Sequence, residues 1–202
     1  MELMSVTEFS AAQRGQMLAL ARDAIAVTLQ GGWPELLPVD QLPEWLRPLR
    51  ACFVTLESHA RLRGCIGSLE AHRPLGHDII LNAVNAATRD FRFAPLQPDE
   101  PVRISLSVLS PLTPLPVASE AELLSVLRTG EDGLVLQAGE HRATFLPAVW
   151  ESLPTPERFL AELKRKAGLP SHYWSDAIRF WRYHTESFGE EREVAIGASG
   201  KR

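Results

Sequence analysis

The stretch ACFVTLESHARLRGCIGS, residues 51–68, decides the fold prediction. Its first part, residues 51–57, is short and rich in β-branched and aromatic side chains, which favours a strand. Residues 58–60 then form a turn, and residues 61–68 return as the second strand of a hairpin. A hairpin here predicts that neighbouring strands of the sheet run antiparallel.

Helices and further strands surround this hairpin in mixed order. Helical periodicity and capping residues predict helices at 7–30, 74–88, 119–130 and 155–168. Alternation predicts a strand at 102–108, a hairpin at 133–138 and 141–146, and a late strand at 177–188. Four prolines rule out regular structure in 31–50, while Trp33, Trp45 and several leucines indicate a packed loop. Without regular β-α-β-α alternation, the fold class is α+β with an antiparallel-rich sheet.

Bulk composition limits the domain organisation and the partners. The 202 residues predict one domain over residues 1–188 and a polar, disordered tail over 189–202. No apolar run is long enough for a membrane span, and the N-terminus lacks the features of a secretory signal. The net charge of −4 disfavours nucleic-acid binding. Two cysteines make no disulfide framework, which favours free thiols in the cytoplasm.

The return strand of the hairpin carries a cysteine in a site-like setting. In an extended chain Arg63, Cys65 and Gly67 share one face, and the apolar Leu62 and Ile66 share the other, which is the expected core side. Cα atoms two residues apart lie roughly 7 Å apart, and a guanidinium at that range favours thiolate over thiol. Gly67 would leave a gap beside the thiol, so the predicted site is small, open and positively charged.

The same residues also have a purely structural interpretation. Cysteine often packs as a small hydrophobe, and Arg63 could simply pair with a carboxylate. Gly64 either lets another backbone approach or marks a bulge. Asp90 and Arg92 follow the second helix and are candidate neighbours of the cysteine, although such runs are commonly surface ion pairs. Among His59, His72 and His77, only His72 and His77 have a usual zinc spacing, and they match it in number alone; no metal and no cofactor is predicted.

The run LRGCIG at 62–67 resembles the hallmark motif of the AMMECR-type domain family. Further segments resemble that family over roughly residues 12–188: FVTL at 53–56, RDFRFAPL at 89–96, VRISLSVLSP at 102–111, FLP at 145–147 and FLAELKRKAGL at 159–169, followed by Trp174. Phe91 and Ala94 stand where the family pattern has proline. The resemblance implies an antiparallel sheet flanked by helices, divided into a larger and a smaller lobe.

The resemblance implies a component of an AmmeMemoRadiSam-like system, whose other members are a Memo-like protein and a radical-SAM enzyme. The family has no established reaction. Three hypotheses remain open. The first is a site with Cys65 as nucleophile, Arg63 as its cation, and Gly64, Gly67, Asp90 and Arg92 as binding residues. The second is a non-catalytic adaptor for a Memo-like or radical-SAM partner. The third is an accessory factor in RNA or nucleotide modification, which the acidic charge disfavours.

Overall fold

The computed structural model describes residues 8–196, which divide into two compact units. The larger unit comprises residues 8–109 and 186–196, and the smaller comprises residues 110–185. Each unit has its own hydrophobic core. No helix within residues 8–196 is long and apolar enough to cross a membrane.

The described chain contains four α-helices and nine strands, numbered in chain order. The helices are α1 (Ala11–Leu29), α2 (Leu75–Thr88), α3 (Glu120–Val126) and α4 (Pro156–Lys166). The strands are β1 (Cys52–Ser58), β2 (Arg61–Gly67), β3 (Pro101–Leu109), β4 (Thr113–Pro114), β5 (Gly133–Ala138), β6 (His141–Phe145), β7 (Arg179–Tyr183), β8 (Thr185–Gly189) and β9 (Val194–Ala195). The predicted α+β fold with an antiparallel-rich sheet is confirmed.

The larger unit is a sheet with helices packed on one face. Its strand order is β2-β1-β3-β8, with β9 also pairing with β3, and β1 runs antiparallel to both of its neighbours. Alternate residues of β1 and β3 are buried, so one face of the sheet is apolar. Helix α2 packs against β1 and β2, and α1 packs against α2 and β3. β2 therefore lies at one end of the strand order, with a helix behind it.

The smaller unit is built around a second sheet with strand order β4-β7-β5-β6. The predicted hairpin of β5 and β6 is present, and Gly139 in its turn has a φ of 59°, which glycine adopts without strain. Trp150 and Phe159 stack in its core with ring centroids 3.8 Å apart. Lys164 is fully buried and is paired with Glu120, Nζ to Oε2 at 2.6 Å.

Two boundaries near the C-terminus differ from the sequence prediction. Residues 177–188 form two strands instead of one, β7 in the smaller sheet and β8 in the larger, because the chain leaves one sheet for the other at His184. Gly189, the predicted start of a disordered tail, ends β8, and Val194 and Ala195 pair with β3. The rest of that predicted tail, residues 197–202, lies outside the described residues.

Candidate functional site

The motif strand β2 contains a bulge at Arg63, next to Gly64, which is one of the two interpretations that the sequence left open for that glycine. Leu56 pairs with Gly64 and the next residue, Glu57, pairs with Leu62, so Arg63 is one extra residue with no partner on β1. The ladder is regular on the other side of the bulge, where Cys65 lies opposite Thr55. The bulge therefore shifts the alternation of side chains by one position within the motif.

This shift corrects the predicted face of Leu62. Paired residues of adjacent strands point to the same face, so Leu62 lies with Glu57 and Thr55 on the face of Cys65. Leu62 is 44% exposed, whereas Ile66 packs against the core. The prediction that Leu62 and Ile66 share the core face is wrong, because the extra residue at the bulge reverses the side on which Leu62 emerges.

The two glycines of the motif are needed for close contacts on opposite faces. A Cβ on Gly64 would overlap the carbonyl oxygen of Ala86 in α2, which confirms the predicted approach of another backbone. A Cβ on Gly67 would overlap the ring of Phe53, the residue opposite it on β1. The predicted gap beside Cys65 is therefore filled by the Phe53 ring, and the site is less open there than the sequence indicated.

Arg63 holds the loop after α2 and does not hydrogen-bond the thiol. Its Nε donates to Oε1 of Glu100 at 2.5 Å and its Nη2 to Oε2 at 3.0 Å. Its Nη1 donates to the carbonyl oxygen of Ala94 at 2.8 Å, and Nη2 also reaches that of Pro95 at 3.3 Å. All three guanidinium nitrogens are thus engaged by the loop.

Asp90 and Arg92 contact the outer edge of β2 at Cys65. The backbone N–H of Cys65 donates to Oδ2 of Asp90 at 2.9 Å, and Nη2 of Arg92 donates to the Cys65 carbonyl oxygen at 3.1 Å. Nε of Arg92 donates to Oδ1 of Asp90 at 2.9 Å. These groups occupy the backbone positions that a further strand would otherwise bond. The sequence predicted both residues as neighbours of the cysteine, and the structure brings them there.

Asp90 and Arg92 hold each other in their charged forms. The hydrogen bond from Arg92 holds the pKa of Asp90 well below its usual range, with a further contribution from the Cys65 N–H. The pKa of Arg92 is raised, first by its hydrogen bond to Asp90 and, to a smaller extent, by the side chain of Cys65. A permanent guanidinium therefore lies beside the thiol, and it belongs to Arg92.

The Cys65 thiol is free, half-buried and hydrogen-bonded. Thr55 Oγ1 donates to Cys65 Sγ at 3.3 Å. Cys52, in contrast, is fully buried, and burial raises the pKa of its thiol, followed by the charge of Asp78. Of the two thiols, Cys65 alone is accessible in the folded protein.

A second polar cluster at the end of the motif strand was missed by the sequence analysis. Asp78 is 1% exposed; its Oδ2 accepts the N–H of Cys52 at 2.8 Å, and its Oδ1 accepts the hydroxyl of Ser68 and Nε of Arg73, both at 2.8 Å. Asn82 donates from Nδ2 to the Cys52 carbonyl at 3.1 Å. The sequence contained one indication of this cluster. Asp78 and Asn82 lie four residues apart and adjoin the apolar stripe of α2.

The three candidate histidines do not form a metal centre. His77 Nε2 lies 2.8 Å from the carbonyl oxygen of Leu37, and His72 pairs with Glu70 on the surface. His59 lies in the turn between β1 and β2. Across residues 8–196, no group of three or more His, Cys, Asp or Glu side chains is placed to hold a metal ion.

Comparison with known proteins identifies the family. The family model described as AMMECR1 matches residues 18–188. The chain belongs to the AMMECR1 family. A protein of Methanothermobacter thermautotrophicus is 39% identical over 183 residues, covering 87% of this chain and 93% of that one. Protein MJ0810 of Methanocaldococcus jannaschii is 33% identical, covering 75% and 79%. The crystal structure of uncharacterized protein PH0010 from Pyrococcus horikoshii has a TM-score of 0.75 at 30% identity, covering 92% of this chain and 95% of that one.

Two residues depart from the AMMECR1 pattern implied by the sequence resemblance. Phe91 and Ala94 replace prolines in the loop that carries Asp90 and Arg92. Phe91 is 95% exposed, and the Ala94 carbonyl accepts from Arg63. Neither change prevents Asp90 and Arg92 from reaching Cys65.

Proposed function

We propose that this AMMECR1-family protein is a cytoplasmic component of an AmmeMemoRadiSam-like system, with a site centred on Cys65 that accepts an anionic substrate. The observation that carries the proposal is the environment of one sulfur atom. Thr55 donates to Sγ at 3.3 Å, and the guanidinium of Arg92 is close enough for the Cys65 side chain to raise its pKa. An accessible sulfur with a guanidinium nearby can receive an anionic substrate and attack it as a nucleophile.

Each site residue has a distinct role in this proposal. Cys65 is the nucleophile, and Arg92 is the cation that orients the substrate anion. Asp90 is a positioning residue, because it fixes both the Arg92 guanidinium and the Cys65 backbone. Arg63 positions the loop through Glu100. Gly67 offers a backbone N–H directed to the same outer edge of β2 as that of Cys65, since the direction alternates with a period of two.

The chemistry is nucleophilic substitution at an electrophilic carbon of a substrate that bears a carboxylate or phosphate. The thiol proton leaves to solvent, the thiolate supplies the electron pair of the new C–S bond, and the leaving group departs with the pair of the broken bond. A paired guanidinium would hold the substrate anion while the bond forms.

Two alkylating agents of nearly equal size test the site. Iodoacetate carries a carboxylate and iodoacetamide is neutral, so the ratio of their rates at Cys65 reports anion recognition. We expect Arg92→Gln to lower this ratio by about tenfold, the effect of losing roughly 1.4 kcal/mol of charge interaction. Arg89→Gln is the matched control, since it removes an equal charge from an exposed arginine at the start of the same loop.

An unchanged ratio in Arg92→Gln would refute the role of Arg92, and equal losses in both variants would indicate a general charge effect. Cys65→Ser must abolish labelling, because Cys52 is fully buried. Co-purification tests the other half of the proposal. A Memo-like protein or a radical-SAM enzyme should be recovered with the tagged chain from cells that encode all three.

A non-catalytic adaptor is the second candidate function, and the exposure of Phe91 favours it. This ring is 95% exposed between Asp90 and Arg92, where a partner would bury it. Phe91→Ser should then abolish co-purification while leaving Cys65 alkylation unchanged. If Cys65→Ser eliminates the cellular function while the complex still forms, the adaptor hypothesis fails and the thiol site is required.

A further inference from the structure

Exposed apolar side chains concentrate in one segment that precedes the motif hairpin. Residues 8–196 contain eleven exposed large hydrophobic side chains, and six of them fall between residues 27 and 49. These six, which we call the apolar docking surface, are Val27, Trp33, Leu36, Leu37, Val39 and Leu49. Such concentration is characteristic of a surface that binds another molecule, whereas isolated exposed apolar residues are common.

The segment is ordered although its apolar side chains are exposed. Leu42 and Leu46 are buried in the core beside α2, and Arg47 fixes the chain by donating from Nε to the Leu42 carbonyl at 2.7 Å. The Leu37 carbonyl lies 2.8 Å from His77 Nε2, and Leu49 forms a bridge with Pro74. Four prolines restrict the backbone further. A partner would therefore bind a surface that is already organised, at low entropic cost.

The contacts of the segment define its position on the larger unit. Pro34 and Ile80 line a cavity of about 150 Å³ together with α1, and the chain then follows α2 back to Pro74. Six residues of helix correspond to about 9 Å. The surface is therefore long enough for several side chains of a partner, and its cavity is of a size to take one of them.

Unpaired carboxylates surround these apolar side chains. The acidic residues are Asp23, Glu35, Asp40 and Glu44, all exposed. None of the four has a salt-bridge partner within residues 8–196. The chain contains no lysine before Lys164, and the nearby Arg50 is buried and paired with Glu8. Arg47 is the one cation of the segment itself; its guanidinium is turned to the Leu42 and Asp40 carbonyl oxygens, and four carboxylates outnumber it. The surface is thus apolar at its centre and negatively charged at its rim.

We infer that the apolar docking surface binds an amphipathic helix of another protein, with an aliphatic face flanked by Lys or Arg. The rim charge selects a basic partner and opposes both a second copy of this chain and an anionic lipid surface. A strand is disfavoured as occupant, because prolines and 3₁₀ turns (Val39–Gln41 and Glu44–Leu46) leave no regular backbone edge. The inference is independent of the Cys65 site.

Two synthetic helical peptides test the inference on the full chain. Both have about 18 residues and the same leucine stripe; one carries lysines beside the stripe and the other carries glutamates at those positions. Binding is measured by fluorescence anisotropy of the labelled peptide. We expect the lysine peptide to bind at least about tenfold more tightly, and its affinity to fall as salt is raised. Leu49→Ser with Trp33→Ser should weaken it about tenfold.

Charge reversal provides the decisive control. Glu35→Lys, Asp40→Lys and Glu44→Lys together should reverse the preference so that the glutamate peptide binds more tightly. An equal charge change on exposed acids of the smaller unit, Glu140→Lys, Glu151→Lys and Asp176→Lys, should leave the preference intact. Equal binding of both peptides overturns the inference. So does a dimer that Trp33→Ser dissociates, or sedimentation of the protein with phosphatidylcholine vesicles.

Discussion

Two cysteines on neighbouring strands are held in the same way and end in different environments. The N–H of Cys52 donates to Asp78 and that of Cys65 donates to Asp90, at 2.8 and 2.9 Å, and each carboxylate is paired with an arginine. The cysteines lie on opposite faces of the sheet, so one thiol enters the core and the other a half-open face. Because the backbone anchors are similar, the pleat of the sheet decides which sulfur is accessible.

The largest difference should be in thiol reactivity. Cys52 is fully buried, so its alkylation requires unfolding, whereas Cys65 reacts in the native protein. For a domain of ordinary stability this predicts rates that differ by at least about 1,000-fold. Mass spectrometry of protein labelled with iodoacetamide, with and without urea, measures both rates. Comparable native rates would contradict the assignment of Cys52 to the core.

Removing the Asp78 carboxylate, which accepts the N–H of Cys52, should strongly destabilise the protein. Asp78→Ala leaves the Cys52 N–H and the Ser68 hydroxyl without their acceptor in a buried position, which should cost about 3 kcal/mol. Urea unfolding measures the change in the free energy of unfolding. Asp23→Ala, at an exposed helical position, is the control and should change it by less than about 0.5 kcal/mol.

Adding a methyl group at Gly64, where the motif strand packs closely against α2, should have the next largest effect on stability. Gly64→Ala places a Cβ onto the Ala86 carbonyl oxygen and should cost about 2 kcal/mol in unfolding free energy. Gly15→Ala is the matched control, because Gly15 lies within α1 with open space around its Cβ position. That change should stabilise the protein by about 0.5 kcal/mol. A Gly64→Ala variant as stable as the parent chain would mean that Gly64 is not tightly packed.

The smallest effect is a pH dependence of stability that comes from Asp90. The folded pKa of Asp90 lies below the unfolded value, so its ionised form stabilises the protein above about pH 4, and this contribution is lost as pH falls. Asp90→Asn should be less stable than the parent chain by about 1 kcal/mol at neutral pH. The difference should shrink as unfolding is measured towards about pH 2. A difference that grows on acidification would contradict the assigned shift.

The sequence predicted the elements of the fold better than the details of the site. The hairpin, the main helices and the proximity of Asp90 and Arg92 to Cys65 follow from periodicity and from family resemblance. The bulge at Arg63 does not, because LRGCIG alternates equally well with or without an extra residue. The sequence therefore assigned the wrong face to Leu62. It also predicted an empty gap at Gly67, because periodicity does not show that the Phe53 ring fills it.

Long-range hydrogen bonds account for the rest of what was missed. Asp78 lies 26 residues from Cys52 in the chain, and only the packing of α2 on β1 brings them together. Glu100 similarly meets Arg63 from 37 residues away. Helical periodicity identifies a buried face but gives no information about which backbone groups lie opposite it.

The bulge also bears on how the length of the motif is set. β1 provides no partner for Arg63, so deletion of this residue would preserve every pairing on either side of it, from Arg61 with Ser58 to Gly67 with Phe53. The pairing with β1 therefore requires one residue fewer than β2 contains. Arg63 instead holds the loop at Ala94 and Glu100, so deleting it should release the loop while leaving the strand pairing in place.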